Sequence, residues 1–262
     1  KLESIGVDYL GVATADEGME LRIEGVRAPI LVLSGLLPWD EAADFFSYDL
    51  VPVIHDFDMM SRLAAEARLR GETKEIHLKF DTGMGRLGFT IHQADAVAAK
   101  LKEAPFLTVQ GIISHFASSE YRDSYGLEQI ETFRTVIRRM KEGGVSPQMI
   151  HMANSGAITV YPEAHFTMVR AGISLYGYHP DRLLEKDLPV MPVMSLVSHI
   201  AFLRDMPAGT FLSYGRTFRT DRDSVIAGIP AGYADGYPRI LSNQNTVLAG
   251  GRLCPVAGRI CM

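Results

Sequence analysis

Short apolar segments alternate with amphipathic helical segments over roughly the first 180 residues, and this alternation constrains the fold more than any other feature of the chain. The helical pattern is clear in Phe57–Arg70, where apolar residues recur every three or four positions. Further helices are predicted at His92–Lys102 and Gly126–Glu142. Seven strands are predicted, at Tyr9–Thr14, Ile30–Leu33, Leu50–Ile54, Ile76–Phe80, Thr108–Ser114, Met149–Met152 and Met168–Tyr176. Strands and helices in this order predict a parallel sheet with helical crossovers.

The number of strands favours a barrel. An open doubly wound sheet usually has five or six strands, whereas a (β/α)8 barrel has eight. Residues 1–7 resemble the end of a helix that leads into a strand. We therefore predict an α/β fold in which residues 1–188 form a (β/α)8 barrel whose first strand is missing from this chain.

A different pattern begins after Pro180. Residues 189–194 form a predicted linker, and alternating strand patterns follow, separated by turns that contain Gly or Pro. These strands are predicted at Ser195–Leu203, Ser224–Ile229, Asn245–Leu248 and Cys254–Ile260. Residues 189–262 are therefore predicted to form a mostly β domain, which we expect to be incomplete because its last strand ends without a closing turn.

Composition excludes several classes of function. The 262 residues carry a net charge of −5 without a basic block, which argues against nucleic-acid binding. No apolar run reaches the ~20 residues of a membrane span, and the N-terminus lacks a signal-peptide pattern. Two cysteines do not make a disulfide framework or a zinc site. A cytoplasmic protein without a metal is predicted.

The strand predicted at Ile76–Phe80 ends in a loop with unusual chemistry. Asp81 follows the strand, and then come three glycines within six residues, with Arg86 between them. Glycine lets a ligand approach the backbone, and arginine binds carboxylates and phosphates. Because sites lie at the carboxyl ends of parallel strands, the loop is a candidate site. A Gly-rich turn with Arg86 in solvent remains the alternative.

Three later strand ends carry similar residue types, in Ser114–Phe116, His151–Ser155 and Val169–Ile173. The set has arginines, histidines and a hydroxyl but only one evident carboxylate. It therefore suits an anionic, phosphate-bearing cofactor with an aromatic ring better than a hard metal or paired-carboxylate hydrolysis. His115 could instead be a core histidine, and Asn154-Ser155 could simply cap a helix. Arg170 lies in an apolar segment and needs partners if it is buried.

Seven motifs resemble those of bacterial alanine racemases in order and spacing. They are Lys79–Gly88, Ser114–Ala117, Ala153–Ser155, Val169–Gly177, Ser213–Gly215, Gly232–Gly236 and Gly258–Met262. The resemblance implies a (β/α)8 barrel followed by a β domain, pyridoxal 5′-phosphate (PLP) as the cofactor, and a cytoplasmic homodimer with shared active sites. It also implies an isomerase that interconverts L- and D-alanine by two-base proton transfer on a PLP Schiff base, supplying D-alanine for peptidoglycan.

The resemblance also implies catalytic roles. Tyr214 resembles the acid/base on one face of the substrate, opposite a lysine that holds PLP. His115 resembles the histidine that stacks on the cofactor ring and contacts the partner network of Tyr214. Arg170 resembles the arginine that faces the pyridine nitrogen, and a guanidinium does not readily give that nitrogen a proton. His151 resembles the residue that holds this arginine.

Binding roles follow in the same way. Arg86 and Met262 resemble substrate-binding residues, and Tyr214 and Met262 are expected to enter the site of the other subunit. Cofactor-binding residues are expected at Asn154, Ser155, Gly172 and Ile173, in addition to Arg86, His115 and Arg170. An entry corridor is expected from Tyr233, Glu120, Arg239 and Arg259, with Glu120 standing where an aspartate is usual.

Lys79 resembles a structural lysine that can be carbamylated beside Arg86, not the lysine that holds PLP. The segment with the PLP lysine is expected to be absent, and the chain as given is expected to be inactive. A serine or broad-specificity racemase remains an alternative. A decarboxylase of the same fold is less favoured because Arg170 replaces the carboxylate expected there. A non-catalytic PLP-binding barrel would lack the second domain.

Overall fold

The computed structural model describes residues 1–262, which form two compact units, Lys1–Val193 and Met194–Met262. The first unit contains a curled, fully parallel sheet of six strands, equivalent to part of a barrel. The strands follow one another across the sheet in chain order: β1 (Leu10–Val12), β2 (Ile30–Val32), β3 (Leu50–Ile54), β4 (Lys74–Lys79), β5 (Leu107–Ile113) and β6 (Met149–His151). The predicted α/β barrel class is confirmed, and all carboxyl ends lie along one edge.

Five helices connect these strands and a sixth follows β6: α1 (Ala15–Ile23), α2 (Ala42–Ser47), α3 (Phe57–Arg70), α4 (Ala94–Lys102), α5 (Ser124–Glu142) and α6 (Ser155–Val160). The ends of α3 follow from local chemistry. The Asp56 side chain accepts the N–H of Met59 at its start, and Gly71 adopts a φ of 68° after its last residue. None of the helices combines the length and the apolar character needed to cross a membrane.

The core lies on both faces of the sheet. Every residue of β2 and β3 is buried, as expected for parallel strands that are covered on both sides. Ile30 and Val32 pack into the larger cluster beneath the helices, while Leu31 joins a smaller cluster with Val51 on the opposite face. Sheet and helices therefore form a rigid base for the loops at the carboxyl edge.

The prediction of a seventh strand at Met168–Tyr176 is wrong. Met168 forms a single parallel bridge with His151, and Ile173–Tyr176 is a short 3-10 helix. The hydroxyl of Ser155 explains the change of direction, because it accepts the N–H of Gly172 at 2.9 Å. The chain therefore turns over the end of the sheet instead of extending along it.

The second unit is mostly β, as predicted. Its strands pair in antiparallel fashion: β7 (Phe202–Met206) with β10 (Ser224–Gly228), β8 (Phe211–Leu212) with β9 (Phe218–Arg219), and β11 (Thr246–Ala249) with β12 (Arg252–Pro255). Residues 195–201 are not a strand, although a strand was predicted from Ser195, and the final strand lies earlier than the predicted Cys254–Ile260. Short apolar runs do not show by periodicity alone which residues find a partner strand.

Candidate active site

The loop after β4 is closed around a carboxylate. Asp81 accepts N–H groups from Gly83 and Met84, each at 2.9 Å, and from Gly85 at 2.8 Å. Three donors on one carboxylate satisfy the charge and give the loop a single shape. Arg86 lies exposed next to this turn. The hydrogen-bonded loop therefore holds the backbone from which the Arg86 guanidinium extends.

Two further contacts hold the same loop. Phe80 and Phe89 form a parallel bridge that ties its two ends together, and the Tyr125 hydroxyl donates to the Gly83 carbonyl at 2.6 Å. Gly88 has a φ of 136°, and a Cβ there would lie 2.4 Å from the Asp81 nitrogen. Glycine is therefore required at Gly88 for the loop to close over Asp81.

Arg170 lies at the centre of the first unit's polar edge. One of its terminal nitrogens, Nη1, is 3.0 Å from His151 Nδ1, and the other, Nη2, is 3.1 Å from His115 Nδ1. Nη2 also donates to the carbonyls of Ser114 at 2.8 Å and Met152 at 3.1 Å. Arg170 makes no ion pair with a carboxylate, so its charge remains available to a ligand. Burial lowers its pKa to about 10, so it is protonated at neutral pH.

The histidines beside Arg170 are neutral at neutral pH. Burial, the repulsion of Arg170, and then the charges of Lys79 and Arg86 lower the pKa of His115 to about 3. Burial and the charge of Arg170 hold the pKa of His151 well below its ordinary value. A guanidinium has no acceptor, so both histidines must accept its protons. The core-histidine alternative for His115 does not fit, because its ring contacts the arginine of the site.

Lys79 is the last residue of β4; the residue is largely buried, and its amine makes no hydrogen bond or ion pair. Burial, together with the positive charges of Arg86 and Arg170, lowers its pKa to about 8, against a smaller opposing effect of Asp81. A lysine of this kind is partly neutral near physiological pH and is therefore nucleophilic.

A second cluster of donors surrounds Ser155 at the start of α6. Its hydroxyl accepts the N–H of Gly172, lies 3.1 Å from the Ser174 hydroxyl, and is 3.4 Å from the Ser174 nitrogen. Asn154 caps α6 by accepting the N–H of Ala157 at 3.1 Å. The capping alternative is therefore correct for Asn154. Hydroxyls and backbone N–H groups at one point make a cradle for an anion.

The outer rim of this cradle is open. Gly172 and Ile173 are exposed, and a Cβ on Gly172 would meet only the Ser155 hydroxyl, at 3.8 Å. A ligand can therefore approach the backbone closely here. Glu120 lies on a separate loop, where its carboxylate accepts the N–H of Ser119 at 2.8 Å.

Three polar residues without an individually predicted role brace these loops. Gln129 of α5 is buried, with its amide donating to the His115 carbonyl at 3.2 Å and accepting the Ala117 N–H at 3.0 Å. The hydroxyls of Thr82 and Ser114 lie 2.7 Å apart. Gln129 could have been found as the polar residue within the apolar stripe of α5.

In the second unit, Tyr214 lies on a strained turn. Ser213 has a φ of 63°, Gly215 of 72° and Arg216 of 52°. Tyr214 is 72% exposed. Non-glycine residues with positive φ are concentrated at functional sites, since the surrounding structure must enforce them.

The other candidates of the second unit are also exposed: Tyr233, Arg239, Arg259 and Met262. Two are brought together, because the Tyr233 N–H donates to Cys261 at 3.0 Å and the next N–H donates to Met262 at 3.2 Å. Arg259 lies beside the Tyr214 turn, 3.4 Å from where a Gly215 Cβ would stand. Arg239 begins a separate short 3-10 helix.

A parallel barrel sheet with an arginine–histidine cluster and an anion cradle at its carboxyl edge, joined to a β-rich unit, defines an α/β-barrel enzyme of the two-domain type. The chain matches the family described as alanine racemase, N-terminal domain, over residues 1–180, and the family described as alanine racemase, C-terminal domain, over residues 193–262. It belongs to the alanine racemases, a family of isomerases.

Curated relatives agree with this assignment. Alanine racemase 2 of Caldanaerobacter subterraneus subsp. tengcongensis is 41% identical over 98% of this chain and 66% of its own length. The alanine racemase of Halothermothrix orenii is 40% identical over 100% of this chain and 69% of its own length. The chain thus spans about two thirds of the length of these relatives.

Solved structures agree as well. The alanine racemase of the D-cycloserine-producing Streptomyces lavendulae superimposes with a TM-score of 0.91 at 33% identity, covering 99% of this chain and 69% of that one. The alanine racemase of Clostridium difficile 630 gives a TM-score of 0.92 at 33% identity, over 100% and 69% of the two chains.

Proposed function

We propose that the protein to which this chain belongs interconverts L- and D-alanine, with PLP as its cofactor. The observation that carries the proposal is Arg170, whose partly buried guanidinium is held by two neutral histidines and by no carboxylate. The donor set fits PLP, because the Ser155 and Gly172 cluster suits its phosphate and Arg170 suits its ring nitrogen. When bound, PLP supplies an electron sink that acidifies the α-proton of an amino acid.

Arg170 controls how strong that sink is. At neutral pH it keeps its proton and donates it in a hydrogen bond, since its pKa of about 10 remains high. A ring nitrogen that faces it therefore stays largely unprotonated. This restrains the electron sink and favours return of the proton to the α-carbon over side reactions such as transamination. His115 and His151 add no competing positive charge, because both are neutral.

Tyr214 is proposed as the acid/base on one face of the α-carbon, with a PLP-bearing lysine outside residues 1–262 serving the other. Inversion of a stereocentre needs one group on each face. Exposure of 72% for Tyr214 and 75% for Met262 supports their proposed placement in the site of a second copy within a homodimer. Arg86 and the backbone of Met262 are proposed to bind the substrate carboxylate.

The remaining proposed roles concern access and support. Lys79 is proposed to be carbamylated beside Arg86, and the entry corridor is proposed to include Tyr233, Glu120, Arg239 and Arg259. Their exposed or half-exposed positions support such a role. A cytoplasmic location and the supply of D-alanine to peptidoglycan complete the proposal.

The test uses the full-length protein that carries this sequence. Borohydride reduction of the PLP-loaded protein, followed by peptide mass spectrometry, should place the pyridoxyl group on a lysine other than Lys79. Solvent-deuterium exchange should accompany the interconversion of L- and D-alanine, and L-serine serves as the competing substrate. A pyridoxyl group on Lys79, or unchanged racemisation by Tyr214→Phe, would reject the roles assigned to these residues.

A further inference from the structure

The protons of Arg170 set a direction for the hydrogen bonds behind it. A guanidinium only donates, so His151 Nδ1, 3.0 Å from the nearest guanidinium nitrogen, must accept. His151 is neutral because it is buried beside this charge. Its single ring proton therefore lies on Nε2, on the side that points away from the arginine.

The next residue in this series of hydrogen bonds is His77 of β4, whose side chain is fully buried. Its Nδ1 lies 2.8 Å from His151 Nε2, and the two rings meet edge to face at 76°. Since His151 donates here, His77 Nδ1 must accept, and the proton of His77 lies on Nε2. Burial lowers the pKa of His77 to about 4, so this ring is neutral too.

The strands are adapted to this ring. Gly111 of β5 lies opposite His77, and a Cβ on it would fall 2.3 Å from His77 Nδ1. The pairing of β4 with β5 also shifts register between Ile76 and His77. Any residue larger than glycine at Gly111 would push the ring away from His151.

Beyond His77, this series of hydrogen-bonded side chains ends on uncharged groups. His77 Nε2 makes no hydrogen bond and has Gln110 as a polar neighbour. The Gln110 carbonyl oxygen is already engaged by the Tyr9 hydroxyl at 2.7 Å. No carboxylate forms a hydrogen bond or ion pair with His77 or His151, so neither ring has an anionic partner that would stabilise a second proton on it.

We propose that His77 is a positioning residue which, through the tautomer of His151, holds the guanidinium of Arg170 in one orientation, with Gly111 as the residue that makes room for it. This inference deepens the proposed function, because it concerns the residue assigned to the cofactor's ring nitrogen. His77 bonds His151 and makes no hydrogen bond with Arg170 itself. It acts only by accepting the proton of His151.

The first test needs no substitution. Nitrogen-15 NMR of the histidine-labelled, full-length, PLP-loaded protein should show His151 and His77 both protonated on Nε2 and unprotonated on Nδ1. A His77 ring protonated on Nδ1 would overturn the inference, since it would then donate to His151. The tautomers are measured whether or not the protein racemises alanine, so failure of the proposed function and failure of this inference are distinguishable.

Substitutions supply the second test. His77→Phe keeps the ring but removes the acceptor, whereas His77→Asn keeps an acceptor near the Nδ1 position. His77→Phe should lower kcat by about tenfold, comparable with the loss of one buried hydrogen bond, with a smaller change in KM. It should also shift the nitrogen-15 resonance of His151 Nε2. His77→Asn should retain most of the native kcat and a nearly native nitrogen-15 resonance of His151 Nε2.

The matched control is His165→Asn, because His165 bonds only the Ile158 carbonyl and lies outside this chain of contacts. It should leave kcat and the His151 resonance unchanged. Equal effects of His77→Phe and His77→Asn on kcat and on His151 would show a merely structural role and overturn the inference. If His77→Phe does not fold, the tautomers of the unaltered protein decide the question.

Discussion

The Ser213 hydroxyl donates a 2.8 Å hydrogen bond to the Arg259 carbonyl oxygen, across 46 positions of sequence. Ser213 itself has φ 63° and ψ 178°, a region almost restricted to glycine. The bond therefore holds a strained residue immediately before Tyr214. Strain of this kind persists only where the surroundings enforce it, so the turn is built to present one side chain.

Ser213→Ala should destabilise the protein, because it removes the bond to Arg259 and leaves the strain. A loss of about 1 kcal/mol is expected for the hydrogen bond. Ser213→Gly loses the same bond but relieves strain of about 1–3 kcal/mol, so it should be near neutral or stabilising. If Tyr214 acts as the acid/base, both variants should lower kcat, with a smaller change in KM. Urea unfolding and steady-state kinetics measure these effects, and equal destabilisation by the two variants would argue against strain.

Asp81→Asn should loosen the loop that carries Arg86. In the native protein, the second carboxylate oxygen of Asp81 accepts the Gly85 N–H at 2.8 Å. The asparagine amide keeps one acceptor oxygen but places an NH2 group, which cannot accept, against a backbone donor of this kind. Loss of one charge-assisted bond costs about 1.5–3 kcal/mol. A rise in KM for alanine that exceeds the change in kcat is expected, because Arg86 is proposed to bind substrate. The exposed Asp16→Asn is a control that should leave KM unaltered, and an unaltered KM for Asp81→Asn would contradict the role of the loop.

Stability should fall as the pH drops from about 6.5 toward 4. An unfolded histidine titrates near pH 6.5, whereas the pKa of His77 in the fold is about 4 and that of His115 about 3. Between these values the unfolded state binds more protons, so the free energy of unfolding decreases with falling pH; above about 6.5 these groups contribute no slope.

Urea titrations at several pH values check this expectation. His77→Asn should reduce the slope by up to about 1.4 kcal/mol per pH unit, the maximum for one proton. The carboxylates of Asp95 and Glu163 have lowered pKa values and act only at more acid pH. An unchanged slope in His77→Asn would contradict the buried neutral state of His77.

Lys79 should take up carbon dioxide. Carbamate formation needs a neutral amine, and the pKa of about 8 leaves a substantial neutral fraction near pH 8. Carbon-13 NMR with labelled bicarbonate should give a carbamate signal that Lys79→Arg abolishes and the exposed-lysine control Lys102→Arg retains. A signal that persists in Lys79→Arg would assign the carbamate elsewhere.

The same pKa has a consequence for stability at alkaline pH. Because the lysine pKa is lower in the fold than in the unfolded chain, the unfolded state binds more protons between about pH 8 and 10.4. The contribution of an uncarbamylated Lys79 to the free energy of unfolding should therefore increase with pH across this interval. Lys79→Arg should lose that increase.

Local signals made part of the fold predictable. Helix α3 begins and ends where predicted because Asp56 and Gly71 flank a clear apolar stripe. The segment after Met168 could not be predicted in the same way. Its apolar residues suit a strand, but the Ser155 hydroxyl captures its N–H groups and turns the chain. That contact joins residues 17 positions apart and leaves no periodic trace.

The residues of the candidate site also differ in how far the sequence predicts them. His115, His151 and Ser155 were identifiable because polar residues that end or follow parallel strands converge on one edge. Arg170 was identifiable as an arginine within an apolar segment, although the strand predicted there does not form. Gln129 stands out as a polar residue in the apolar stripe of α5, but its partners could not be predicted, since they lie on loops that only the folded chain brings near this helix. His77 was hidden for another reason, because a histidine inside an apolar strand has the same pattern as a core residue.

The loop from Phe80 to Phe89 is anchored at its base and open at its tip. Both phenylalanines are at most 1% exposed, and a parallel β-bridge joins them. Gly85 and Arg86, in contrast, are exposed. Gly85 is constrained by its φ of 71°, whereas a substitution of Arg86 leaves the buried anchor and the barrel beneath it untouched. Ligand binding through Arg86 can therefore change, during divergence or in laboratory selection, at small cost to folding.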